Sequence, residues 1–196
     1  MPRPDTSSQR RREFAPLLTR AFAELGYRRA TTAVLAERCG VQENILYRLW
    51  SDKRAMFIAS LDHVYQASEA AWAALLVQEG SAASPAERIL EYESTHHGEH
   101  GLYRIVFAGL SETDDPEIAA ALKRLYGRFQ RFVQRQVERH RGGPGAATGP
   151  DAALAAWAIV GLGTVSNIGR ELGLLSAARR RRLVLEAGAM LLGQRA

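Results

Sequence analysis

The chain has 196 residues, 46% of them apolar, with 17 Gly and 7 Pro, which excludes global disorder and allows one large domain or two unequal ones. The lone Cys39 excludes an intrachain disulfide, and the absence of a bilayer-length apolar run or an apolar signal-type start points to a cytoplasmic protein. The net charge of +5 sits entirely in residues 1–60, where 11 Arg/Lys face 6 Asp/Glu; such a local cation excess suits a phosphate backbone or, equally, a solvated tail at Arg10, Arg11 and Arg12.

Phe14, Leu17, Leu18, Ala21, Phe22 and Leu25 recur at helical spacing and predict a first helix closed by Gly26. Pro16 lies in this stripe, so the helix either starts near it or is kinked there. Thr31 or Thr32 caps a short second helix over 33–38, broken by Gly40. A third short helix covers about 42–49. Ser51 or Asp52 caps a fourth, which runs to about Glu79 and carries Phe57, Leu61, Val64, Tyr65, Trp72 and Leu76 at helical spacing.

Residues 80–84 interrupt the pattern, and Ser84-Pro85 fits the cap and first position of a helix ending near His97. Gly98 and Gly101 separate it from a helix over 102–110. Asp114-Asp115-Pro116 opens a long helix through Ile118, Leu122, Leu125, Phe129, Phe132, Val133 and Val137. Residues 141–150 read as a loop. Asp151 caps a small-residue helix to about Leu172, and a last helix spans about 176–192. No segment has strand periodicity. The expected fold is all-α, with about nine helices.

Function concentrates in Thr32 to Leu49, TAVLAERCGVQENILYRL. A helix-turn-helix needs a small residue where its helices cross, and Ala36 is there. Gly40 suits the turn. Leu35, Cys39, Val41, Leu46 and Leu49 supply the apolar seam, and the second helix then offers Gln42, Glu43 and Asn44 to the major groove. The same offsets also fit a plain helical hairpin, and Cys39 reads as a small core residue.

From Arg12 to Phe57 the sequence resembles the TetR family of bacterial regulators. The resemblance rests on Phe22…Gly26-Tyr27, Thr31, Leu35-Ala36-Glu37, Gly40-Val41, Leu46-Tyr47-Arg48, Trp50, Lys53 and Met56-Phe57. It implies phosphate contacts from Thr31, Tyr47, Arg48 and Lys53, and base contacts from Gln42 and Asn44. Three positions depart from the family pattern. Glu43 places a carboxylate near phosphates, where it could accept from a cytosine amine; Asn44 replaces a small residue; and Leu49 stands where His or Tyr is usual.

His96, Glu99 and His100 spell H-x-x-E-H, a zinc-peptidase pattern, but Gly98 within it and the lack of strands argue against an enzyme. A metal-sensing site from His96, His97 and His100 is the milder alternative. The run Arg179–Arg182 reads as a solvated helix start, with nucleic-acid binding as the lesser option.

The expected organisation is a helix-turn-helix DNA-binding domain over 1–55 and a helical effector-binding and dimerisation domain over 56–196. By the resemblance, the last two helices pair with a second copy, through Leu154, Trp157, Gly161, Val165, Ile168, Leu183, Ala187 and Met190. Candidates for lining a small-molecule pocket are Trp72, Tyr92, His96, Tyr103, Phe107, Tyr126, Phe129 and Trp157, each also an ordinary core residue. The expectation is therefore a non-enzymatic, sequence-specific regulator without a cofactor. It would bind double-stranded DNA as a homodimer, act as a repressor of a near-palindromic operator, and be released by a small molecule. A metal-responsive regulator and a zinc hydrolase are the alternatives.

Overall fold

The computed structural model describes residues 6–77, 82–98, 103–142 and 150–193. All regular structure in them is helical: α1 Thr6–Arg29, α2 Thr32–Arg38, α3 Glu43–Leu49, α4 Lys53–Leu76, α5 Pro85–His96, α6 Tyr103–Leu110, α7 Pro116–Arg141, α8 Ala152–Glu171 and α9 Ala177–Leu192. The loop expected at 141–150 falls mostly outside the described residues.

The caps lie where short polar side chains occur in the sequence. Thr31, Ser84, Asp151 and Ser176 each accept a backbone N–H in the first turn of α2, α5, α8 and α9. At α5 the cap is reciprocal: Ser84 Oγ accepts from Glu87 N at 3.3 Å, and Ser84 N donates to Glu87 Oε2 at 2.5 Å. Ser84→Ala removes one half of this box and is expected to cost about 1 kcal/mol, read as a lower urea midpoint with unchanged slope.

At α1 the structure departs from the periodicity. The helix begins at Thr6 and passes through Pro16, and its one non-helical residue is Gly26, at φ 74° and ψ 168°. Gly26 thus breaks the helix as expected, but a further turn, 27–29, follows it.

The chain divides into two compact units. The first comprises residues 1–67 and 100–125, and the second comprises 68–99 and 126–196, so α4 and α7 each contribute to both. In the first unit, Leu18, Phe22, Leu35, Leu46, Phe57 and Ile105 are fully buried. The Phe57 ring meets Phe22 edge-on at 5.0 Å and Tyr27 at 5.0 Å. At Gly109 of α6, a Cβ would lie 3.2 Å from Leu122 Cδ2 and 3.4 Å from Phe57 Cε1, so even a methyl group there would make these side chains shift by a few tenths of an ångström. Arg28 pairs with Glu112 at 2.9 Å, and Arg54 reaches Asp115 at 3.3 Å and Glu117 at 2.9 Å. These pairs join the end of α1 and the start of α4 to the corner between α6 and α7.

In the second unit, Ala86, Leu90, Val137, Ala155, Val184 and Leu192 form one cluster from α5, α7, α8 and α9. Trp72, Ile89 and Phe132 form another, flanked by Tyr92 and Phe129. Gly188 lets α9 approach α5, since a Cβ there would meet Leu90 Cδ1 at 2.8 Å. By length and mean hydropathy, 1.5, α8 could cross a membrane, contrary to the expectation that no run is long enough. Its far end, however, carries Ser166, Asn167, Arg170 and Glu171, and the helix packs on α9. The Arg179–Arg182 run is largely engaged: Arg180 donates to the Leu175 carbonyl, Arg181 pairs with Glu91 and Arg182 with Glu186.

Candidate nucleic-acid interface

The turn between α2 and α3 follows from Gly40. It sits at φ 67°, a left-handed value that side chains resist. That conformation lets Gly40 N donate to Glu37 O and Val41 N to Ala36 O, both at 3.0 Å, satisfying carbonyls at the end of α2. Cys39 closes the helix from inside; it is buried, and burial pushes its thiol up to about 11. Of the expected seam, Leu35, Leu46 and Leu49 are buried with Cys39 and Val41 is half-buried, while Ala36, the expected small residue at the crossing, is buried too.

With that face turned inward, Gln42, Glu43, Asn44, Tyr47 and Arg48 are exposed. Gln42 is the N-cap of α3 rather than its first residue and makes no side-chain cap bond. Tyr47, 48% exposed, brings its hydroxyl 3.0 Å from Thr32 Oγ1. Thr31 is also exposed, and its hydroxyl oxygen takes the Val34 amide at 3.3 Å. Lys53 begins α4; its ammonium donates to the Tyr27 carbonyl at 3.1 Å and lies 4.4 Å from the Tyr27 ring centroid. Leu49 is buried, so its side chain offers nothing to a phosphate. Sequence reasoning passed over Thr32, considered only as a possible cap, and Tyr27, which bore no signal beyond its position after Gly26.

Residues 19–60 match the family model of the bacterial regulatory proteins of the tetR family. That match spans 42 of the 196 residues, and over it the chain is similar to the family. No curated protein sequence matches the chain. Solved structures of transcriptional regulators share the fold over nearly the whole chain. A TetR-family transcriptional regulator from Cytophaga hutchinsonii superposes with a TM-score of 0.76 at 14% identity, covering 97% of this chain and 96% of that one. A transcriptional regulator from Saccharomonospora viridis, solved in complex with choline, gives 0.73 at 17% identity over 90% and 94%. The fatty acid degradation regulator FadR from Bacillus halodurans gives 0.71 at 14% identity over 93% and 94%. The TetR resemblance read from the sequence is thereby borne out, together with the all-α class.

The aromatic and histidine candidates are dispersed. In the second unit, Trp72 stacks on Phe132 at 4.6 Å and meets Phe129 at 5.8 Å, while His96 stacks on Tyr92 at 4.4 Å. Tyr126 is half-buried there; burial raises its hydroxyl, and a hydrogen bond with Thr164 partly offsets this. Trp157 points outward on α8 and is 49% exposed. Tyr103 and Phe107 belong to the first unit, edge to face at 6.1 Å.

A polar chain in the second unit had no sequence signal. Trp72 Nε1 donates to Glu93 Oε1 at 2.6 Å, and Glu93 Oε2 lies 2.5 Å from His97 Nδ1. Asn167 Nδ2 donates to His97 Nε2 at 3.1 Å, which puts the histidine proton on Nδ1. Arg170 donates to the His97 carbonyl at 3.1 Å, and Gly163 leaves room for the ring. Both ring nitrogens of His97 are therefore used. α5 ends at His96 and Gly98 takes φ 69°, so the start of H-x-x-E-H is not a continuous helix; Glu99 and His100 lie outside the described residues. Among the described residues, no three His, Cys, Asp or Glu side chains are grouped to hold a metal ion.

Proposed function

We propose that this protein is a cytoplasmic, homodimeric bacterial repressor that binds a near-palindromic operator through α3 and releases it when a small molecule binds the second unit. The observation that carries this reading is the turn at Gly40, which buries one face of α3 and presents Gln42, Asn44, Tyr47 and Arg48 together on the other. An α-helix of that kind fits the major groove, and the cation excess of residues 1–60 suits the phosphates beside it. In this assignment Gln42, Glu43 and Asn44 face base edges. Thr31, Tyr47, Arg48 and Lys53 contact the backbone, and residues 1–55 form the DNA-binding domain, with 56–196 the effector and dimer domain.

Support for a dimer through α8 and α9 comes from the apolar side chains left uncovered on α8, Leu154, Trp157, Val165 and Ile168, with Met190 on α9. The four on α8 recur at helical spacing and make one stripe, and a two-fold pairing would set two α3 helices about 34 Å apart. The effector would occupy the second unit among Trp72, Tyr92, Tyr126 and Phe129, where aromatic surface meets the polar chain of Glu93, His97 and Asn167. A ligand favouring a conformer with low DNA affinity would be coupled to DNA by about 1–3 kcal/mol. Binding, without a chemical step, is the activity this requires.

The test is selection of bound sequences from random duplex DNA, followed by titration of two variants. Lys53→Ala is expected to weaken all duplexes similarly and to reduce the salt slope by about one. Tyr47→Phe is expected to weaken binding by about 1 kcal/mol, because one phosphate hydrogen bond is lost. No enrichment by the native chain would refute the reading, and a native salt slope in Lys53→Ala would remove that residue from the phosphate contacts.

A further inference from the structure

Among the three consecutive arginines near the N-terminus, Arg11 differs from its neighbours. It lies three residues before Phe14 and seven before Leu18, both buried, and so starts from the same face of α1, although the residue as a whole is exposed. Its Nε donates to the Leu49 carbonyl at 2.9 Å, across 38 residues of sequence. Leu49 is the last residue of α3, and its carbonyl has no helical partner of its own. A guanidinium there also meets the negative end of the helix dipole.

This contact matters because α3 has few other polar ties. It is seven residues long and its N-cap, Gln42, gives no side-chain bond. Burial of Leu46 and Leu49 fixes which face turns inward, but apolar contacts are non-directional and tolerate sliding along the axis. A hydrogen bond at one end and the Thr32–Tyr47 contact on the flank restrict that sliding.

We infer that Arg11 is a positioning residue for DNA reading: it sets the axial placement of α3 from the α1 side and does not itself neutralise a phosphate. This rests on the DNA-binding reading proposed above. It also separates Arg11 from the solvated-tail role that the sequence suggested for the whole run.

The experiment has two arms, with Arg11→Ala and Arg11→Lys in the full chain. The first is amide hydrogen exchange without DNA. The Trp50 amide, bonded to the Leu46 carbonyl at 2.9 Å, closes α3 and reports its last turn. Arg11→Ala is expected to speed its exchange about tenfold while leaving the Val41 amide of the preceding turn unchanged, and Arg11→Lys to restore part of the protection. The second arm measures affinity for the selected operator and for unrelated duplex across a salt series. The expected result is an approximately tenfold loss on the operator, less than twofold on unrelated DNA, and an unchanged salt slope. A slope reduced by about one with equal losses on both duplexes would make Arg11 a phosphate ligand and overturn the inference. Unchanged exchange at Trp50 would overturn it too, whatever the DNA result. Failure of the native chain to bind any duplex would refute the functional reading, while the exchange arm would still report whether Arg11 holds α3.

Discussion

Phe57→Ala is expected to lower the unfolding free energy by about 3–5 kcal/mol. The ring is fully buried, with Phe22 edge-on at 5.0 Å and Tyr27 on another side. Gly109 of α6 closes over it, with the Phe57 Cε1 atom 3.4 Å from where a Cβ would stand. Helices α1, α4 and α6 therefore share this one side chain, and none can fill the space without moving the others. A loss of this size is a large share of the 5–15 kcal/mol that holds a typical domain folded, about which small changes are decisive. Urea unfolding monitored by circular dichroism measures it. A loss below about 1 kcal/mol would mean the three helices close up around the gap, and so would contradict the rigid packing described.

Trp157→Arg is expected to convert the proposed dimer into monomers at micromolar concentration. Tryptophan is the residue type most often dominant in interfaces, and truncating such an anchor typically costs 2 kcal/mol or more. Two-fold symmetry applies the change twice, so the dimer dissociation constant should rise about a thousandfold. The free chain should fold normally, because the side chain is already 49% exposed and Leu154 beside it is 64% exposed. Analytical ultracentrifugation reads the mass, and circular dichroism checks the fold. A variant that remains dimeric with native thermal stability would place the interface elsewhere than α8 and α9.

Helix positions were largely legible because their ends carry local chemistry. Ser84, Asp151 and Ser176 occupy the caps that short polar side chains prefer, and Gly40 supplies the conformation the turn needs. The start of α1 was not legible. Residues 6–12 contain no apolar side chain, so periodicity is silent there, and the helix is held partly by Arg11 reaching a carbonyl 38 residues away. Contacts of that kind leave no local trace. The same holds for Arg28 with Glu112, 84 residues apart, and for the chain from Trp72 through His97 to Asn167. Aromatic periodicity marked Trp72 and Trp157 alike, yet one is buried in the second unit and the other stands outward. A stripe says which face is apolar, and only tertiary packing decides whether this chain or another covers it. For the proposed DNA contacts, exposure of Gln42 to Asn44 agrees with the helix-turn-helix spacing, while the Thr32 partner of Tyr47 depends on how α2 and α3 cross.

The protected thiol of Cys39 has a practical corollary. With its ionisation displaced to about 11, roughly one sulfur in ten thousand is nucleophilic at pH 7. A maleimide dye offered to the native chain should therefore leave it unmarked. A second cysteine introduced at exposed Ala33 would take the dye alone, giving each polypeptide a single fluorescent reporter beside α3 without first mutating the natural one.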